Sequence, residues 1–216
     1  IVLYVYGQMK EEEQDMFEAE EGATLTTYDL EKEYVRPTQK ATYKFFMLAI
    51  LVFGVQILAG IIIATDFIRP GGVSLNEILP FPVARSLHTL LQIYWFFMCW
   101  VGYTIFFLPR ISKVPNGQRA LINILFTLCL ITGVGAIVGI FLGQTGIITG
   151  QMAYWFGSQG WEFMELGRFF QFTLLASFAL WILIIYRGVK PWLTMKNMWS
   201  VPSWLLYGSG IMVFFL

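Results

Sequence analysis

The sequence predicts an all-α fold, a polytopic transmembrane helical bundle. Hydrophobic residues make up 57% of the 216 positions and charged residues 13%. Several of the apolar runs reach the roughly 20 residues that a helix needs to cross a bilayer. Lipid offers no hydrogen-bond partner to a backbone, so such runs form helices whose backbone groups pair internally. The charged residues gather between the runs, as they must if the runs are buried in lipid. Lys plus Arg and Asp plus Glu balance at 14 each, which leaves no electrostatic case for a nucleic-acid partner. Cys99 and Cys129 lie inside apolar runs and read as small buried hydrophobes, neither a disulfide framework nor a metal pair.

In chain order, residues 1–9 read as the end of a transmembrane helix, and 10–44 as an acidic cytoplasmic loop with a basic flank. Residues 45–216 read as the first core membrane helices of a larger domain. The acidic part runs from Glu11 to Glu33 and the basic flank is Arg36, Lys40 and Lys44, with Thr38 a helix-capping candidate. The chain opens at Ile1 and stops at Leu216, both inside apolar runs, so it is expected to be a piece of a longer polypeptide. The remainder of that polypeptide and the lipid bilayer are its first partners.

The first complete span is expected over 45–67, closed by the turn Pro70-Gly-Gly. A connector leads to Pro82 and a second span that exits at Pro109, followed by a basic loop to Arg119. The third span, 120–142, carries Gly133, Gly135 and Gly139, a small-residue face suited to close packing. Residues 143–160 are too polar to span and read as an interfacial loop or short helix, with Tyr154, Trp155 and Trp161 as interfacial anchors. Residues 162–168 open a fourth span that runs to about 186, and a fifth begins near Pro202. Three basic clusters, Arg36/Lys40/Lys44, Arg110/Lys113/Arg119 and Arg187/Lys190/Lys196, fall on one side if the spans alternate, and the positive-inside rule makes that side cytoplasmic.

His88, the only histidine, stands near the outer end of the second span, about one and a half turns inside it. An ionisable side chain in a membrane helix is costly and so marks a site. A neutral imidazole offers a ring nitrogen to a metal, including haem iron. It equally satisfies a neighbouring helix, and the stretch itself leaves both readings open. Arg85, three residues earlier, is placed either to pair with an anionic group or to reach lipid head groups. Glu162 and Glu165, three apart, are expected on one helix face, as a hard-cation site, the mouth of a proton path, or ordinary surface acids. A glycine-rich phosphate loop, zinc spacing and a nucleophile with a histidine base are all missing from the sequence.

Four stretches together resemble the quinol-dependent nitric oxide reductases, a branch of the haem–copper oxidase superfamily. Ala84-Arg-Ser-Leu-His-Thr-Leu-Leu-Gln-Ile-Tyr-Trp is similar to that family's low-spin-haem helix, and Val114-Pro-Asn-Gly-Gln-Arg to its basic loop. Trp155-Phe-Gly-Ser-Gln-Gly-Trp-Glu-Phe-Met-Glu-Leu-Gly-Arg-Phe-Phe-Gln171 resembles its outer-face signature, and Pro37-Thr-Gln-Lys-Ala-Thr-Tyr-Lys-Phe-Phe its lead into the first core helix. Their order and spacing agree over residues 36–216.

The resemblance implies part of a haem–copper oxidase-like fold in a bacterial inner membrane, its haem side facing the periplasm. His88 would be one axial ligand of a low-spin haem b, and Arg85 a propionate partner. Glu162 would be the carboxylate on a Ca²⁺ ion, and Glu165 a proton-entry acid. A high-spin haem b and a non-haem iron would be held by histidines outside this chain, so no catalytic residue is expected within it. Nitric oxide is the implied substrate, with homodimerisation left open. The quinol branch carries a histidine and, four residues on, a glutamate before the haem helix, where Ala64 and Ile68 stand here. That departure leaves quinol as a partner in doubt and fits the nitric oxide dismutase-like branch. Reduction of NO to N₂O and its dismutation to N₂ and O₂ are therefore both carried forward. The alternatives are a non-catalytic haem-b electron-transfer subunit and an ion or proton carrier.

Overall fold

A computed structural model describes residues 36–111, 113–160, 165–193, 198 and 200–214. The readings placed on 1–35, Trp161, Glu162 and Lys196 lie outside the described residues. A short helix α1 (Pro37–Lys40) precedes α2 (Tyr43–Ile68), α3 (Phe81–Ile111), α4 (Gln118–Gln144), α5 (Gly150–Phe156), α6 (Arg168–Val189) and α7 (Val201–Phe214). Helices α2, α3, α4 and α6 are long and apolar enough to cross a membrane. The chain is thus an integral membrane helical bundle, as its apolar runs require. The α2–α3 turn follows the sequence expectation: Arg69, Gly71 and Gly72 have φ of 44°, 64° and 80°, in two 3₁₀ turns, Pro70–Gly72 and Leu75–Glu77. Glycine tolerates such angles without the Cβ clash that other residues meet.

Two boundaries differ from the sequence reading. Arg36 rather than Thr38 caps α1, its N–H bonded to the side chain of Gln39 at 2.9 Å. Helix α3 runs through Pro109 to Ile111 instead of ending at the proline. A proline inside a helix withholds one N–H from the carbonyl ladder. Membrane helices tolerate this where a neighbour supplies a donor. The carbonyl that Pro109 leaves without its helical donor is that of Ile105, and the next one, Phe106, takes a side-chain N–H of Gln39 at 3.1 Å.

The chain divides into two compact units. One holds the described residues up to Thr42, Tyr103–Ile122 and those from Ala179 on. Its packing is tied by polar side chains: the Trp181 indole donates to Thr104 at 2.9 Å, and Gln118 to the carbonyl of Ile184 at 2.9 Å. Arg187 donates to the carbonyl of Asn116 at 2.8 Å, which joins the end of α6 to the basic loop. Arg36, Lys40, Arg110, Lys113, Arg119, Arg187 and Lys190 all belong to this unit. The other unit, Tyr43–Gly102 and Asn123–Phe178, contains His88, Arg85, Asp66, Glu77 and Glu165. Its core includes Val52, Ala59, Val83, Leu87, Leu91 and Ile140.

Glycines set the packing of the second unit. A Cβ on Gly139 would strike the backbone carbonyl of Phe156, and one on Gly143 would lie 2.6 Å from the backbone nitrogen of Ser158. Gly135 accepts the ring of Phe170 in the same way. Gly139→Ala is expected to lower stability by about 1–3 kcal/mol, the usual cost of overpacking. Gly54→Ala, where nothing lies within 4 Å of the added carbon, stays within about 0.5 kcal/mol. Thermal unfolding of the two variants in detergent checks the difference.

Candidate functional site

The buried face of α2 is formed by Phe45, Ala49, Val52, Gln56 and Ala59, a helical repeat in which Gln56 alone is polar. An amide buried among apolar side chains costs about 2 kcal/mol or more unless it is hydrogen-bonded. Its partner is His88. The half-buried imidazole stands on α3 between Leu87 and Leu91, both buried against α2 and α4 residues. His88 Nδ1 lies 2.9 Å from the backbone carbonyl oxygen of Gln56. The Gln56 side-chain nitrogen is 3.2 Å from Nδ1 and 3.5 Å from Nε2.

The chemistry of these atoms decides the tautomer. A carbonyl oxygen only accepts, so Nδ1 carries the hydrogen and donates it to Gln56 O. The reverse assignment would set two lone pairs against each other at 2.9 Å. Nε2 then keeps its in-plane lone pair, the form in which a histidine ligates a metal while its other nitrogen is held by a carbonyl. Gly60, one turn after Gln56, makes room for the ring: a Cβ there would sit 2.7 Å from His88 Cε1 and 2.9 Å from Nδ1. An imidazole whose Nδ1 is held by a carbonyl and whose ring sits in a glycine gap is chemically suited to hold a haem iron at Nε2.

Arg85 is exposed, one turn before His88. Glu165 is 8% exposed and corrects the expectation that it shares a helix face with Glu162. Helix α6 begins only at Arg168; Leu166 instead pairs with Ser158 in an isolated antiparallel bridge. Gly160 has φ of 71°, and the N–H of Gln159 bonds the carbonyl of Glu165 at 2.9 Å. Gly167 packs against the backbone of Trp155 and Phe156, which holds the returning strand of chain on α5. Glu162 itself lies outside the described residues.

A chain of polar contacts links the two regions. The Gln144 side chain donates to Ser86 at 2.7 Å, two residues before His88, and lies 3.5 Å from the hydroxyl of Ser158. Ser158 also accepts the N–H of Gly160 at 3.2 Å. Among the described residues, no three His, Cys, Asp or Glu side chains converge as a metal site. His88 is therefore a single donor at a helix–helix contact.

Residues 40–216 match the family model of cytochrome c and quinol oxidase polypeptide I. The chain belongs to that family. It is also 31% identical over 102 residues to a nitric oxide reductase polypeptide of Stutzerimonas stutzeri, a match covering 47% of this chain and 21% of that protein. This chain thus spans a small part of the curated relative it matches. Both findings bear out the haem–copper oxidase resemblance drawn from the four motifs. Membership in this superfamily implies haem cofactors, and His88 is the one imidazole this oxidase-family chain can offer.

Sequence reading missed Gln56, Gly60 and the Ser86–Gln144–Ser158 tie. The signal for Gln56 was present: a lone amide on the repeat Ala49, Val52, Ala59 of an otherwise apolar span. Gln144→Leu removes the tie and is expected to speed amide hydrogen exchange at residues 157–160 about ten-fold or more. Segments held by few contacts open first. Exchange mass spectrometry in detergent reads this directly.

Proposed function

We propose that this chain is part of a membrane oxidoreductase acting on nitric oxide, supplying one ligand of a low-spin haem b. The observation that carries the reading is the His88 imidazole, fixed as its Nδ1–H tautomer, in a chain of the oxidase family with a nitric oxide reductase relative. The reaction is 2 NO + 2 e⁻ + 2 H⁺ → N₂O + H₂O. The high-spin haem b and non-haem iron that complete such a centre require histidines this chain does not contain.

His88 would hold the haem through Nε2, and the haem would supply one-electron transfer there. The residues around it do the rest. Arg85, exposed one turn away on α3, offers a guanidinium to a propionate, a charge-assisted pair. Glu162 is assigned to a Ca²⁺ ion. Glu165, shielded from solvent, takes up and hands on protons for the reduction. The basic clusters Arg36/Lys40/Lys44, Arg110/Lys113/Arg119 and Arg187/Lys190/Lys196 are assigned to the cytoplasmic side, and the haem side to the periplasm, of a bacterial inner membrane.

One observation favours a second reading, dismutation of 2 NO to N₂ and O₂ without an outside electron donor. The last turns of α2 carry Ala64 and Ile68, neither able to bond a quinol. Mass spectrometry of the gas evolved by the complete enzyme from ¹⁵N-labelled NO separates the readings. Labelled N₂O made only with a reduced quinol supports the reductase, and labelled N₂ with O₂ made without a donor supports the dismutase. Neither gas overturns both.

Two variants test the residues. His88→Ala is expected to abolish the low-spin ferric signal while leaving other haem signals in place, read by electron paramagnetic resonance of the purified enzyme. Glu165→Gln is expected to lower turnover about 10²-fold, the low end for loss of a positioned proton-transfer group, with an unchanged haem spectrum.

A further inference from the structure

We propose that Gln56 is the positioning residue for His88, its amide setting the plane of the imidazole ring and the electron density at Nε2. This rests on the haem reading above and extends it to a residue of the neighbouring helix. Gln56 is 8% exposed on the face of α2 otherwise made of Phe45, Ala49, Val52 and Ala59. The one side-chain contact described for its amide is the His88 ring, at 3.2 Å from Nδ1 and 3.5 Å from Nε2. Its own backbone carbonyl takes the Nδ1 hydrogen at 2.9 Å. A single residue thus touches the ring with both its main chain and its side chain, and Gly60 closes off the Cε1 edge.

Three contacts along one edge leave the ring little freedom to turn about its Cβ–Cγ bond. The plane of an axial imidazole governs the splitting of the ferric d orbitals, and a hydrogen bond from Nδ1–H raises the basicity of Nε2. With the Nδ1 hydrogen committed to the carbonyl, the amide N–H meets the lone pair of Nε2. Once that pair is given to iron, the amide has only Nδ1–H left to serve. Rotation about the terminal bond of Gln56 then turns its oxygen toward that hydrogen, as a second acceptor. The end of the amide facing the ring therefore tracks ligation, and the side chain acts on the haem through His88 alone.

The test uses the complete membrane enzyme with Gln56→Met, of similar length but apolar, and Gln56→Glu. The readouts are haem content, the largest g value of the low-spin ferric signal, and its midpoint potential, measured where the glutamate is ionised. Both variants are expected to keep the haem and shift the g value. The potential rises in the methionine variant, which lacks the second acceptor, and falls in the glutamate variant, whose charge favours ferric iron. Gly60→Ala, which pushes on the ring, is expected to weaken haem retention about 10- to 100-fold, the range for residues that orient a ligand. Wild-type g values and potentials in haem-loaded Met and Glu variants would overturn the proposal. If the methionine variant does not assemble, an unshifted glutamate variant does so alone. A wild-type enzyme without low-spin haem fails differently, since it removes the haem reading itself.

Discussion

The structure depends on how one imidazole is satisfied inside a membrane helix pair. A charged histidine is expensive in hydrocarbon, and a neutral one still has a donor and an acceptor to place. Helix α2 meets the donor with a backbone carbonyl that has a spare lone pair beyond its helical bond, so no helix hydrogen bond is given up. That solution demands close approach of α2 and α3. Gly60 permits it, because any larger residue there would overlap the ring. Val52, Ala59, Val83 and Leu87 then pack around the contact without a further polar group.

Close approach recurs across α4. Tyr94 of α3 donates its hydroxyl to the carbonyl of Cys129 and lies where a Cβ on Gly133 would be. Gly135 and Gly139 admit Phe170 and the backbone of α5. Hydrocarbon supplies no hydrophobic drive between membrane helices, so packing of small residues and interhelical hydrogen bonds hold them together. The consequence for function is positional. The same glycines that let α4 pack closely seat the end of α5 and the Phe170 ring, and Leu166 and Phe170 join Ala136 in a buried cluster next in sequence to Glu165, itself 8% exposed.

What the sequence disclosed follows from which signals are local. The spans were legible because an apolar run of some 20 residues or more has no other stable form in lipid, and the α2–α3 turn because Pro70-Gly-Gly admits few conformations. His88 was legible as a costly residue. Pro109 misled, because a proline close to the end of a span removes a single helical bond, and α3 runs two residues past it to Ile111. The Glu162–Glu165 spacing misled at Glu165 because that residue precedes α6 and adjoins the Ser158–Leu166 bridge, and a three-residue interval means neighbouring faces only in a helix. Gln56 was overlooked since its meaning comes from a partner 32 residues on, and a single amide in an apolar run looks like a tolerated exception.

The accounting of buried polar groups sharpens where chemistry belongs. Most of these side chains are spent on joining helices: Thr132 on Thr173, Trp181 on Thr104, Gln118 on Ile184. A group so engaged has little capacity left for a ligand. His88 is different, because Gln56 O consumes only Nδ1 and leaves Nε2 the weaker contact of the two. Among the described residues, capacity is also left at several buried atoms, Gln144 Oε1 and the indole nitrogen of Trp95 among them, which have no hydrogen-bond partner there. Trp95 stands seven residues, two helical turns, beyond His88 and so on the same face of α3. The two differ in place: Trp95 shares the His88 face of α3, whereas Gln144 meets α3 at Ser86, two residues before His88 and so on another face. An unsatisfied polar group in a membrane is costly enough that its retention points to a use. At His88 that use is read from the ring itself, whose Nδ1 is spent on the carbonyl of α2 while Nε2 keeps the longer and weaker contact.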